Sequence, residues 1–279
     1  MTVRIGITLP SFHEDPDVPL TVARAAEAAG LDGVFVFDHL FRRAADGSRR
    51  PALEGTVLLG AIAAETEQVA VGTLVARATL RPAATLAAAL DTAHRVSGGR
   101  LVAGFGSGDA ESREENESFG LPFGRTEDRV GALREAVVTA RDRGYPVWVG
   151  GSAPPVRAVA AEEADGWNRW GGTPGVFARQ GAGVSARATR PGFALSWGGL
   201  VVTGADDAAA GEKAAHLGAG PAVLVGGPER LASLLVPYVE AGATWLVLGP
   251  VDSSDPGNAA VLGEAVAPRL REPRDRAQL

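Results

Sequence analysis

Short β-branched and aromatic runs alternate along the chain with longer alanine-rich stretches. The short runs suit strands buried on both faces, and the longer ones suit the helices that cover them. The alternation therefore predicts a parallel sheet wrapped in helices. Strands are expected at 3–9, 33–37, 69–75, 100–105, 147–149, 166–170, 193–203 and 244–248. Helices are expected at 18–29, 53–65, 82–96, 125–142, 154–164, 173–187, 206–217 and 228–241, with a closing helix at 258–270. Pro82 falls in the first turn of its helix, where a missing N–H costs nothing, and Gly30 and Gly242 stop the helices before them. Residues 41–50 and 106–118 read as polar loops, Gly198 and Gly199 as a break in the seventh strand, and 222–225 as a short extra strand.

Eight strand-then-helix units in this length predict an α/β fold, a closed (β/α)8 TIM barrel occupying 1–279 as a single domain. An open doubly wound sheet would need a phosphate-binding glycine cluster directly after its first strand. Here that strand runs into Leu9, Pro10, Ser11 and Phe12, and the barrel is preferred.

Composition narrows the partners. The 279 residues are 46% hydrophobic, enough for a large core, and the net charge is −6 with only scattered arginine clusters. That balance disfavours a nucleic-acid surface. There are no cysteines, so disulfides and thiolate metal sites are excluded. The four histidines (His13, His39, His94, His216) are far apart and no metal-ligand spacing occurs, so no metal is expected. No apolar run approaches the roughly 20 residues that span a bilayer, and the N-terminus enters a strand without a signal pattern. A cytoplasmic protein without membrane partners is expected.

In a barrel the catalytic groups lie at the C-terminal strand ends. The second strand ends in Asp38 and His39. An imidazole there could give or take a proton near neutral pH, with Asp38 orienting it; the plainer reading is a histidine bonded to a backbone carbonyl. The fourth strand ends in Gly104, Gly106, Ser107 and Gly108, which would let a flat ligand or a phosphate approach the backbone, or would simply make room for neighbours. Asp109 follows as a candidate mouth carboxylate, whereas Glu111, Glu114, Glu115 and Glu117 read as a solvated face. Gly150, Gly151 and Ser152 precede a helix and so suggest an anion site at its N-terminus. Trp170 and Trp197 are the tryptophans that could line the mouth.

The ordered strand ends resemble those of luciferase-like monooxygenases and coenzyme F420-dependent oxidoreductases. The resemblance is carried by AEAAGLDGVFVFDHL at 26–40, LLGAIAAET at 58–66 before VAVGT at 69–73, and VSGGRLVAGFGSG at 96–108. Residues 119–129, PVWVGG at 146–151, ADGWN at 164–168, GGPE at 226–229 and AGA at 241–243 complete it. It implies that His39, with Asp38 beside it, lies near the reactive face of a flavin-type ring. Leu74 and Val75 fall where the family often has a non-proline cis peptide against that ring. The resemblance further places Gly106, Ser107 and Gly108 close to the ring or phosphate, and Asp109 where some F420-dependent dehydrogenases carry a glutamate. Gly150, Gly151 and Ser152 match a phosphate-binding helix start. The implied chemistry is hydride transfer with coenzyme F420 to or from a small organic substrate. An FMN-dependent monooxygenase is the alternative, and a barrel that binds flavin or F420 without turnover is a third. The resemblance leaves room for a homodimer. The chain departs from the family in its short 140–145 link and trimmed mouth loops, and substrate class does not carry over.

Overall fold

A computed structural model describes residues 2–44 and 46–272. Eight parallel strands close on themselves: β1 (Arg4–Thr8), β2 (Gly33–Val36), β3 (Ala70–Arg77), β4 (Leu101–Gly106), β5 (Val147–Gly150), β6 (Gly166–Trp170), β7 (Ala194–Thr203) and β8 (Trp245–Pro250). Each pairs with its successor, and β8 returns to β1 with Arg4 opposite Trp245. The predicted barrel is the observed one. Because every strand runs the same way, all eight C-terminal ends open on one face.

Around it lie α1 (Asp17–Ala28), α2 (Gly55–Glu65), α3 (Ala83–Val96), α4 (Ser112–Ser118), α5 (Thr126–Ala140), α6 (Pro154–Glu163), α7 (Pro174–Ser185), α8 (Asp207–His216) and α9 (Pro228–Glu240). The closing segment is α10 (Gly257–Ala260), a π-helical stretch (Val261–Val266) and α11 (Ala267–Arg271). Side-chain caps set several helix starts: Glu54 accepts from the Val57 amide, Thr173 from Val176 and Asp206 from Ala209. Outward strand residues such as Ile5, Val34, Val71, Leu101 and Val147 bury against Val22, Leu59, Leu86 and Val137 of the helices, forming one continuous outer core.

A second, smaller core fills the barrel itself. Phe35, Leu74, Val102, Trp148, Trp245 and Val247 are packed together there. The Phe35, Trp148 and Trp245 rings lie 5.5–6.1 Å apart between centroids. Three large rings fit because facing positions are bare. A Cβ on Gly166 would stand 2.7 Å from the Trp148 ring, and one on Gly72 would meet Phe35 at 3.0 Å. The lower barrel is thus plugged, which leaves ligand chemistry to the mouth.

The structure corrects several expectations. Residues 41–50 are not a plain loop but carry an antiparallel hairpin, Phe41–Arg43 against Arg49–Pro51. The segment 106–118 contains α4. Strand β7 runs unbroken through Gly198 and Gly199, because bare backbone there admits the rings of Trp170 and Trp197. Pro82 is the cap before α3 and lies outside its first turn. The extra strand forms at Leu224–Gly226 beside the end of β7.

Candidate active site

Strand β2 delivers Asp38 and His39 to the mouth in opposite roles. Asp38 is enclosed: its carboxylate accepts from the Arg77 amide at 2.8 Å and from both terminal nitrogens of Arg81 at 2.8 and 3.0 Å, and its side chain has no exposed surface. A carboxylate so held braces the strand end and has no face turned to a substrate. This departs from the catalytic role that the sequence suggested for it. Arg81 is also paired with Glu54, the cap of α2.

His39 keeps about a third of its side chain exposed (36%). Its Nδ1 lies 3.1 Å from Oε2 of Glu115, and its ring lies 5.3 Å from that of Phe12. In a neutral imidazole, a carboxylate at Nδ1 favours the Nδ1–H tautomer, in which Nε2 carries the lone pair. Glu115 is the residue that sequence reasoning placed on a solvated face. Once 112–118 coils into α4, Ser112, Glu115 and Asn116 share its buried side. Glu115 also takes the Leu40 and Phe41 amides and lies 2.9 Å from Nη2 of Arg77. The spacing 112, 115, 116 was the available signal, hidden by the run of acids around it.

Arg77 is itself buried, with Nε donating to the Asp38 carbonyl at 2.9 Å and Nη1 to Asn116 Oδ1 at 3.3 Å. Burial lowers its pKa, and the neighbouring carboxylates of Glu115, Asp38 and Asp109 offset that only in part, so it ends below its ordinary value. The guanidinium stays charged. Burial by itself raises the Glu115 carboxyl. The hydrogen bonds from His39 and the Leu40 amide, with the charge of Arg77, overcome it, and the carboxyl ends below its ordinary value.

Beside this cluster the Leu74–Val75 peptide is cis, as the resemblance implied, and the β3–β4 register shifts between Thr73 and Ala76. The Val75 side chain presses into the space over Gly106 and Gly150, where any Cβ would collide with it. Residues 74–75, 106 and 150 therefore adjoin across three strands. Gly108 takes φ +72°, a left-handed turn open to glycine, and the Ser107 hydroxyl reaches the Gly108 carbonyl at 3.3 Å. Asp109 is exposed, and its Oδ1 is engaged by the Ser112 amide and hydroxyl at 3.1 and 3.0 Å. It is tied to Ser112 at the start of α4, where a free mouth carboxylate was expected.

The expected anion site at 150–152 is leaner than the sequence suggested. The Gly151 amide already donates to the Asn168 carbonyl at 3.1 Å, and α6 begins with Pro154 and Pro155, which have no N–H. What remains is the helix dipole and Arg157, whose Nε donates to the Ser152 carbonyl at 3.1 Å. Trp170 is 39% exposed, with its ring edge-on to Phe37 at 6.1 Å, and it borders the mouth. Trp197 is buried and stacks on Tyr238 at 3.9 Å. A cleft of about 380 Å³ between 78–82 and 121–132 flanks the β3 side.

A closed parallel barrel with a histidine, a buried carboxylate and a glycine-lined wall at its C-terminal mouth is a (β/α)8 barrel whose candidate site lies where such barrels carry their active sites. The chain belongs to the luciferase-like monooxygenase family, whose model matches residues 3–222. It is 29% identical over 192 residues to an F420-dependent glucose-6-phosphate dehydrogenase of Nakamurella multipartita, covering 59% of this chain and 55% of that one. A protein of the same description from Beutenbergia cavernae is 35% identical over 136 residues, covering 48% and 39%. The chain thus spans about half the length, or less, of these curated relatives. Among solved structures, it superimposes on an F420-dependent secondary alcohol dehydrogenase in complex with an F420–acetone adduct, with TM-score 0.81, 17% identity and coverage of 98% and 100%. A riboflavin lyase with modified FMN gives TM-score 0.79 at 14% identity, covering 97% and 92%. These structural likenesses show the fold.

Proposed function

We propose that the protein is an F420-dependent oxidoreductase that moves a hydride between the deazaflavin and a small organic substrate. One observation carries the reading: His39, its Nδ1 held by buried Glu115, stands at the same mouth as the wall that Val75 makes over Gly106 and Gly150. The F420 dependence stated for the curated relatives supports the choice of coenzyme. The residues present fit such a group, since Val75 over bare Gly106 and Gly150 makes a smooth apolar wall for a flat ring. Gly108 and Ser107 follow that wall in the chain, and Arg157, whose Nε donates to the Ser152 carbonyl, would supply positive charge for the coenzyme's phosphate.

When bound, the coenzyme supplies the carbon that accepts or delivers hydride. The chain does the rest. Nε2 of His39 takes the proton from a substrate hydroxyl, or returns it to a carbonyl. Glu115 holds the imidazole in that tautomer and stabilises it when it is charged. Asp38 and Arg81 brace the strand end beneath, and Trp170 and Phe37 shield the mouth from water. This reading takes 1–279 as one catalytic unit acting in the cytoplasm, with neither nucleic acid nor membrane as partner.

Titrating the purified protein with oxidised F420 and with FMN, followed by fluorescence quenching, tests it. Saturable quenching by F420 and weaker binding of FMN are expected. Tight FMN binding without F420 binding would move the assignment to the flavin monooxygenases. Binding of neither would leave only the fold.

A further inference from the structure

Four arginines crowd the hairpin that overhangs the β2 side of the mouth: Arg42, Arg43, Arg49 and Arg50. In a chain of net charge −6 this is a local reversal of sign. Glu114 on α4 answers two of them, with Arg43 Nε at 3.0 Å and Arg49 Nη2 at 3.1 Å. Neither Arg42 nor Arg50 has a carboxylate within 4 Å among the described residues. The nearby acids in sequence are engaged elsewhere, Asp46 by Ser48 and Asp15 by the Asp17 amide.

Both uncompensated arginines converge on Phe12. The Arg42 guanidinium carbon lies 5.3 Å from the Phe12 ring centroid, and Arg50 Nη2 donates to the Phe12 carbonyl at 3.2 Å. The Phe12 ring in turn lies 5.3 Å from the ring of His39. Two guanidiniums without a carboxylate partner among the described residues therefore stand one aromatic ring away from the imidazole, whereas Arg157 belongs to α6. Guanidinium is the side chain best shaped to grip a phosphate or carboxylate in two-point fashion.

We propose that this hairpin is the substrate-selecting edge of the mouth and that the substrate carries a phosphate or carboxylate held by Arg42 and Arg50. The proposal rests on the reading of the mouth as a catalytic site. The positive edge would also draw such a substrate in against the negative charge of the rest of the molecule. The same anion chemistry exists on the coenzyme, so the test separates the two sources.

Inorganic phosphate is titrated calorimetrically into the apoprotein and into the F420-loaded protein at low ionic strength, for the native chain and for Arg42→Gln/Arg50→Gln. Phosphate should bind both native forms, and the double substitution should weaken it about tenfold or more while the F420 affinity stays unchanged. Equal phosphate affinity in the two chains would overturn the proposal. So would loss of phosphate binding on F420 loading together with weakened F420 affinity in the variant, since the arginines would then serve the coenzyme. If F420 fails to bind while phosphate still distinguishes the two chains, the anion edge stands and the coenzyme reading falls. Arg157→Gln is the control, expected to weaken F420 and leave the hairpin response intact.

Discussion

His39 and Glu115 meet across 76 positions of chain. The histidine was legible because it ends a strand that any barrel reading directs to the mouth. Its partner was not, since acids at 111, 114, 115 and 117 look alike until a helix turns one of them inward. Asp38 and Asp109 show the converse. Both are acids at strand ends, yet one is sealed by Arg81 and the other is tied to Ser112 at the start of α4. His39→Ala should cut turnover far more than F420 affinity; equal losses in both would make the imidazole structural. For Glu115→Gln, nitrogen-15 NMR should show His39 losing its fixed Nδ1–H tautomer, a change that a purely structural carboxylate would not produce. Linkage adds a second readout. The folded Glu115 carboxyl lies below its ordinary value of 4.5, so its contribution to stability is fully present above that pH and is lost as pH falls through the lower, folded value. Denaturant titrations across acid pH should therefore show a shallower loss of stability for Glu115→Gln than for the native chain.

At the scale of elements, strands and helices with a buried face were visible because burial imposes a period on the sequence. The 41–51 hairpin has no such period. Its strands are mostly exposed and arginine-rich, and they are held from outside, by Arg49 over the Phe41 ring at 4.4 Å and by Glu114 of α4. The β3–β4–β5 wall makes a sharper demand on its residues. Gly106 must stay bare for Val75 to sit where it does. Gly106→Ala should destabilise by about 1–3 kcal/mol through overpacking. It should also weaken F420 binding more than a comparable change on the far side of the barrel. Unchanged coenzyme affinity would remove Gly106 from the wall of the site.

For the whole molecule, closure of the barrel brings together one end of eight strands and a plug of three aromatic rings below it. Trp148 is the part of that plug nearest the β5 side of the mouth. Trp148→Ala should cost about 3–5 kcal/mol in equilibrium unfolding, a loss that would loosen the floor on which the site rests. A change under about 1 kcal/mol would show that neighbouring rings collapse into the space. No helix among the described residues is long and apolar enough to cross a membrane.

The alternation of short apolar runs and alanine-rich helices was enough to determine the barrel, the order of its strands and the end at which His39 emerges, because those follow from local periodicity and chain direction. Which polar groups face one another at the mouth was decided only by the tertiary structure. Burial, ion pairing and the seating of Val75 over bare glycines act between residues tens of positions apart. No window of sequence contains both partners.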